Sequence, residues 1–201
     1  MICVIDYGMG NLRSVSKALE KLGGEVEVSG SPDVVARAEK IVLPGVGAFG
    51  DGSRELASRR LVEPLREAIK REKPFLGICL GMQLLFDLSE ESPGVQGLGV
   101  LPGTVRRFQS LDLKIPHMGW NQMKIRKPDA GILREIPDQS FFYFVHSFYP
   151  VPQDPSVVVG TSTYGVEFPC LIGKGKLWAS QFHPEKSQAA GLQILRNFVS
   201  L

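Results

Sequence analysis

The segment Gly77-Ile78-Cys79-Leu80-Gly81-Met82-Gln83 places a thiol between two glycines, where an apolar, strand-like run gives way to a helix-like one. A glycine–x–nucleophile–x–glycine elbow needs this spacing, because the turn is strained and tightly packed and leaves no room for neighbouring Cβ atoms. A helix start there lowers a thiol pKa and offers the Leu80 N–H to an oxyanion. On this motif alone, a buried and inert cysteine is an equally open reading.

A second segment, Ala179-Ser180-Gln181-Phe182-His183-Pro184-Glu185-Lys186, closes a predicted strand. Residues two apart on a strand point the same way, so His183 and Glu185 are expected to share a face, with Pro184 stiffening the pair. A thiol nucleophile requires a base within hydrogen-bond reach and a carboxylate to orient that base. Taken singly, His183 and Glu185 read as ordinary surface residues. An elbow and a His-x-Glu, each at a strand end, coincide far less often by chance.

The third segment runs from Lys40 to Gly50 and holds Pro44-Gly45-Val46-Gly47 after an apolar run. Gly45, Gly47 and Gly50 have the spacing of a dinucleotide fingerprint, but its acid should end the next strand ~20 residues on. Glu67 and Glu72 fall in or beside a helix instead, and that strand ends at Cys79. Backbone N–H donation from Gly45–Gly47 to an oxyanion is the better use of this loop. His117, His146 and His183 have no zinc-ligand spacing with any cysteine, so neither a metal nor another cofactor is expected.

The elements that must position these residues follow from apolar patterning. Ile2–Asp6, Glu25–Ser29, Lys40–Leu43 and Pro74–Ile78 read as strands, the apolar ones covered on both faces. Asn11 caps a predicted helix that runs to about Leu22 and stops at Gly23. Leu61–Arg71 and Leu80–Asp87 read as further helices. In the second half, Val105–Phe108, Gln122–Ile125, Phe141–Val145, Val157–Thr163, Leu171–Ile172 and Leu177–Phe182 read as strands between Gly/Pro turns, closed by a helix over Gln188–Val199. The expected fold is α/β, with a mostly parallel central sheet, helices on both faces and a partly antiparallel C-terminal extension, in one domain over residues 1–201.

Composition narrows the class. The chain has 201 residues, 43% hydrophobic and 22% charged, with a net charge of +2 and no Lys/Arg-rich run, so no nucleic-acid footprint is present. Three cysteines are too few and too odd for a disulfide scaffold and suggest a reducing, cytoplasmic setting. Cys3 and Cys170 fall in predicted strands, Cys170 at the start of one, and are expected to be inert core thiols. The N-terminus has no basic leader, and no apolar run approaches the roughly 18 residues that span a bilayer, so no membrane contact is expected.

Together these motifs resemble the class I (triad-type) glutamine amidotransferases, which pair a G-x-C-x-G-x-Q elbow with a downstream F-H-P-E. More narrowly, Asp6–Leu12, Pro44–Gly47, Pro116-His117-Met118-Gly119-Trp120-Asn121, Tyr143–Ser147 and Gln181–Ser187 resemble the glutaminase subunits of imidazole glycerol phosphate synthase. The matches run over nearly the whole chain. The resemblance implies the flavodoxin-like fold of that class and hydrolysis of L-glutamine by Cys79, His183 and Glu185 through a glutamyl thioester. It implies that the oxyanion is met at Leu80 and at Gly45, Val46 and Gly47, and that glutamine is held by Gln83 and around His146, Ser147 and Phe148. Many relatives have Tyr at the last position, which leaves a main-chain contact there. Ammonia released into water is soon protonated, so a second protein is expected over Cys79. The resemblance makes that partner a barrel-shaped cyclase and places Asn11, Met118, Trp120, Asn121, Tyr143 and Lys186 near it. Glutaminases serving other pathways, a cysteine peptidase or γ-glutamyl hydrolase, and a non-catalytic scaffold are the rival readings. Pro116–Asn121 and Tyr143–Ser147 separate the first, and the intact Cys79, His183 and Glu185 speak against the last.

Overall fold

The computed structural model describes residues 1–109 and 113–201. From the N-terminus, β1 (Ile2–Ile5) is followed by α1 (Leu12–Lys21), β2 (Val26–Ser29), α2 (Pro32–Arg37) and β3 (Lys40–Leu43). Next come α3 (Phe49–Ser58), α4 (Val62–Lys70), β4 (Phe75–Ile78) and the single-turn α5 (Leu80–Gln83). Then come β5 (Phe86–Ser89), β6 (Leu101–Arg107), β7 (His117–Gln122) and β8 (Lys124–Ile125). The chain continues through β9 (Phe141–His146), β10 (Phe148–Pro152), β11 (Val158–Tyr164), β12 (Val166–Lys174) and β13 (Leu177–Ser180) to α6 (Gln188–Val199).

Among the described residues the strands form three sheets. The main one has the order β2-β1-β3-β4-β13-β12-β11-β8. Its first five members are parallel, and β12, β11 and β8 extend it antiparallel. The second sheet is β10-β6-β5, and β7 and β9 make a separate antiparallel ribbon. Alternate residues of the parallel strands feed two cores. Cys3, Ile5, Ile41, Leu43 and Phe75 enter one, and Ile2, Val4, Val42, Leu76 and Ile78 the other. A sheet covered on both faces demands such uninterrupted apolar runs, each fully buried aliphatic side chain contributing about 1.5–3 kcal/mol. No helix among the described residues is long and apolar enough to cross a membrane.

Local signals in the first half hold. Asn11 Oδ1 accepts the Ser14 N–H at 3.3 Å, and α1 ends where Gly23, at φ +88°, turns the chain. The expected helix over Leu80–Asp87 does not: α5 stops after one turn, and Phe86–Ser89 pairs with β6 as a strand. Leu84, Leu85 and Phe86 are all fully buried, and periodicity cannot separate helix from strand in a run with no solvent face. Helix α3 was not anticipated because Gly50 and Gly52 argue against a helix. Its start is capped from afar, with the Phe49 N–H donating to Glu91 Oε2 at 2.7 Å and the Gly50 N–H to Ser92 Oγ at 3.0 Å. The strand expected over Gln122–Ile125 is split between β7 and β8, which belong to different sheets. Cys170 lies within the long β12 rather than at a strand start.

Candidate active site

The order 2-1-3-4 of the parallel strands reverses direction between β1 and β3, and in such sheets ligands collect outside the carboxyl ends of the strands. Three adjacent strands deliver the sequence motifs to that edge. β3 ends in the Pro44–Gly47 loop, β4 in Cys79, and β13 leads into Gln181-Phe182-His183. Register fixes their alignment: Leu43 pairs with Gly77, Ile78 with Ser180, and the Cys79 N–H donates to Ser180 O at 2.7 Å.

Cys79 sits at φ +55°, ψ −109°, a conformation that L side chains adopt only under strain. A Cβ on Gly81 would run into the Leu43 carbonyl oxygen, and one on Gly45 would overlap the Tyr7 hydroxyl. That hydroxyl is fully buried and donates to Pro44 O at 2.8 Å, pinning the glycine loop beside the elbow. The helix after Cys79 is a single turn, so its contribution is the local N–H of Leu80, without an earlier acceptor in its own helix, rather than a long dipole.

His183 and Glu185 do come together, though not as strand neighbours. β13 ends at Ser180, and a 3-10 turn over Pro184–Lys186 brings Glu185 Oε1 to 2.9 Å from His183 Nδ1. Both side chains are almost wholly shielded from solvent. The turn is stitched to β9. The His183 N–H donates to Tyr143 O at 3.0 Å, the Tyr143 N–H donates to Ser187 Oγ at 2.9 Å, and Ser187 Oγ donates to His183 O at 2.6 Å. Burial alone would lower the imidazole pKa, but the sulfur of Cys79 and the Glu185 carboxylate outweigh it and push His183 up to about 10. Among the described residues, His183 Nε2 and Glu185 Oε2 are buried without a hydrogen-bond partner, as suits groups left free for a ligand.

Cys79 opens onto a cavity of about 330 Å³ lined by Val46, Gly47, Leu80, Gln83, Glu91, Pro116 and Val145–Phe148. Several sequence-derived residues therefore line one space. Gln83 Nε2 is already engaged, donating to Phe148 O at 3.1 Å and Gln181 Oε1 at 3.2 Å. His146 also reaches the cavity with both ring nitrogens taken, Nδ1 at 2.8 Å from Phe148 O and Nε2 at 2.9 Å from His117 Nδ1. The Ser147 carbonyl accepts the Phe108 N–H at 3.0 Å, which ties this segment to the end of β6. Sequence reasoning passed over two residues. Glu91 brings a carboxylate into the cavity wall, and the fully buried Gln181 sets Nε2 3.8 Å from Cys79 Sγ. Gln181 stood inside a motif already singled out; nothing near Glu91 in the sequence marked it.

The other cysteines are sealed off. Cys3 and Cys170 are wholly buried, and burial pushes Cys3 up to about 11 and Cys170 upward as well. On the β7–β9 ribbon, Met118 and Trp120 are 62% and 45% exposed. Trp120 meets Tyr143 edge-on at 6.1 Å, and Lys186 Nζ lies 5.9 Å from the Tyr143 ring centre. Asn121 hydrogen-bonds inward to His117, while Asn11 is engaged in capping α1. No cluster of His, Cys, Asp and Glu among the described residues could hold a metal ion.

The chain belongs to the class I glutamine amidotransferase family, whose model matches residues 3–201. Within that class its similarity is to imidazole glycerol phosphate synthase subunit HisH. It is 55% identical to that of Geobacter sulfurreducens, covering 98% of this chain and 97% of the relative. To that of Moorella thermoacetica it is 52% identical, covering 100% and 94%. Among solved structures, PurLQS from Thermotoga maritima superposes with a TM-score of 0.78 at 22% identity, covering 99% and 96% of the two chains. That likeness shows the shared fold.

Proposed function

We propose that this chain is the glutamine-hydrolysing subunit of an imidazole glycerol phosphate synthase and passes ammonia to a cyclase partner. The single observation that carries the chemistry is the meeting, at the ends of three adjacent strands, of a strained Cys79, the glycine loop and the buried His183–Glu185 pair. The 55% identity to a HisH subunit over 98% of the chain carries the assignment to that synthase.

In this reading His183 Nε2 already holds the proton given up by Cys79, and the Cys79 sulfur attacks the side-chain amide carbon of glutamine as a thiolate. Glu185 holds Nδ1–H and steadies the imidazolium. The oxyanion is met by the N–H groups of Leu80 and of the Gly45-Val46-Gly47 loop. Collapse expels ammonia, which takes the proton back from His183, and leaves a γ-glutamyl thioester. Water, deprotonated by His183, attacks that thioester to give glutamate and restore the thiolate. Gln181 Nε2 donates to the sulfur, and Gln83 and the backbone at Ser147 and Phe148 shape the wall around the substrate. Glu91 supplies a carboxylate for the α-ammonium group of glutamine. The exposed face with Met118, Trp120, Tyr143 and Lys186 receives the cyclase, Trp and Tyr being frequent interface anchors. We read residues 1–201 as one amidotransferase domain working in the cytoplasm, a setting that suits its three unpaired thiols.

The test is Cys79→Ala in the complex with the cyclase. Glutamine turnover is expected to fall by at least ~10⁴-fold while ammonia-driven synthesis continues. Glutamine hydrolysis at the parent rate in Cys79→Ala would overturn the assignment.

A further inference from the structure

The reaction above leaves two buried imidazoles unused, and their hydrogen bonds run one way only. The Phe148 carbonyl can only accept, so His146 Nδ1, 2.8 Å away, carries a hydrogen. In the neutral ring Nε2 is then an acceptor, and it faces His117 Nδ1 at 2.9 Å, which must therefore donate. His117 Nε2 becomes the acceptor in turn and meets Asn121 Nδ2 at 3.2 Å. Asn121 is oriented by its own contacts, with Oδ1 taking the Gln122 N–H at 2.8 Å and Nδ2 donating to Thr163 O at 2.9 Å. A proton added to either ring would set N–H against N–H at one junction of this chain.

The surroundings enforce the neutral state. Phe108, Phe144 and Phe168 pack around both imidazoles, and Tyr164 stacks on His117 with ring centres 4.2 Å apart. Besides His117, His183 is the titratable group that acts on His146, and its positive form disfavours a second charge. Burial accordingly pushes His117 down to about 4 and His146 to about 3. At the far end, the oxygen that His146 holds also accepts from Gln83, which bonds Gln181, which reaches Cys79. A continuous chain of polar contacts thus links the ribbon strand that bears Met118 and Trp120 to the elbow sulfur.

We propose that His117 and His146 are positioning residues: each holds the other in its neutral, Nδ1-protonated form, and together they fix the Phe148 carbonyl wall of the glutamine pocket. This rests on the glutaminase reading above for its kinetic consequence, not for the tautomers themselves. Asparagine can place an amide N–H near the position of the histidine Nδ1, whereas glutamine places its amide near Nε2.

In the complex with the cyclase, His146→Gln is expected to raise the KM for glutamine about tenfold, with kcat held within about twofold. His146→Asn should bring KM back to within about threefold of the parent. Equal impairment by the two variants, or none in either, would overturn the proposal. On the full chain, ¹⁵N spectra of labelled histidine should show both rings neutral and Nδ1-protonated from about pH 5 to 8. A ring that titrates in that range, or carries its hydrogen on Nε2, would also overturn it. A parent protein that hydrolyses no glutamine would instead remove the functional reading and leave the spectra to decide the tautomers.

Discussion

His183 and His146 are both buried at the same end of the molecule and both are hydrogen-bonded through Nδ1, yet their proton affinities move in opposite directions. Facing His183 are a carboxylate 2.9 Å away and the thiol sulfur, and the ring is pushed up to about 10. Facing His146 are a carbonyl oxygen, a second imidazole and phenylalanine rings, and it is pushed down to about 3. Burial opposes charge in both places, so what differs is whether the neighbours supply a negative partner. The 3-10 turn at 184–186 is built to hold a proton, and the β7–β9 ribbon to exclude one.

Removing the carboxylate is the harshest way to break this contrast. Glu185→Gln is expected to lower kcat for glutamine by about 10²–10⁴-fold, because the imidazole loses both its orientation and the partner of its charged form. Steady-state kinetics in the complex checks this, and an unchanged kcat would deny Glu185 its role.

Stability against pH sharpens the contrast. Below the ordinary histidine value of 6.5, the unfolded chain takes up protons that folded His117 and His146 refuse until about pH 4 and 3. Stability therefore falls as the pH drops through that window. Above 6.5, folded His183 keeps up to about pH 10 a proton that the unfolded chain releases, so stability also falls as the pH rises. Urea unfolding across this range should show a maximum near neutrality. His117→Phe should flatten the acid limb and Glu185→Gln the alkaline one.

The smallest expected effect lies at the head of the relay. Asn121→Ala removes the donor to His117 Nε2 and should cost about 1 kcal/mol in the same unfolding measurement. No loss would mean that the histidine pair needs no outer anchor.

Much of the parallel half was legible because its signals are local. Asn11 caps its own helix, Gly23 ends it, and the uninterrupted apolar run Ile2–Ile5, buried throughout, marks a strand covered on both faces. The second half was read less well. Strand β10 and all of β7 but Gln122 were missed and Leu84–Phe86 was taken as helix, since a ribbon or an edge sheet takes its pairing from segments far away in the chain.

By itself the sequence determined that Cys79 could occupy a tight elbow, that Gly45–Gly47 could present backbone N–H groups, and that His183 and Glu185 lay close enough to pair. Those properties belong to residue type and short spacing. Only the tertiary structure decided that Glu91 would face the same cavity and Gln181 the sulfur, and that His117 and His146 would lock each other beside Phe148. A proton's position in a buried network is set by whichever donors and acceptors packing brings within about 3 Å, and such partners come from strands whose adjacency no local pattern encodes.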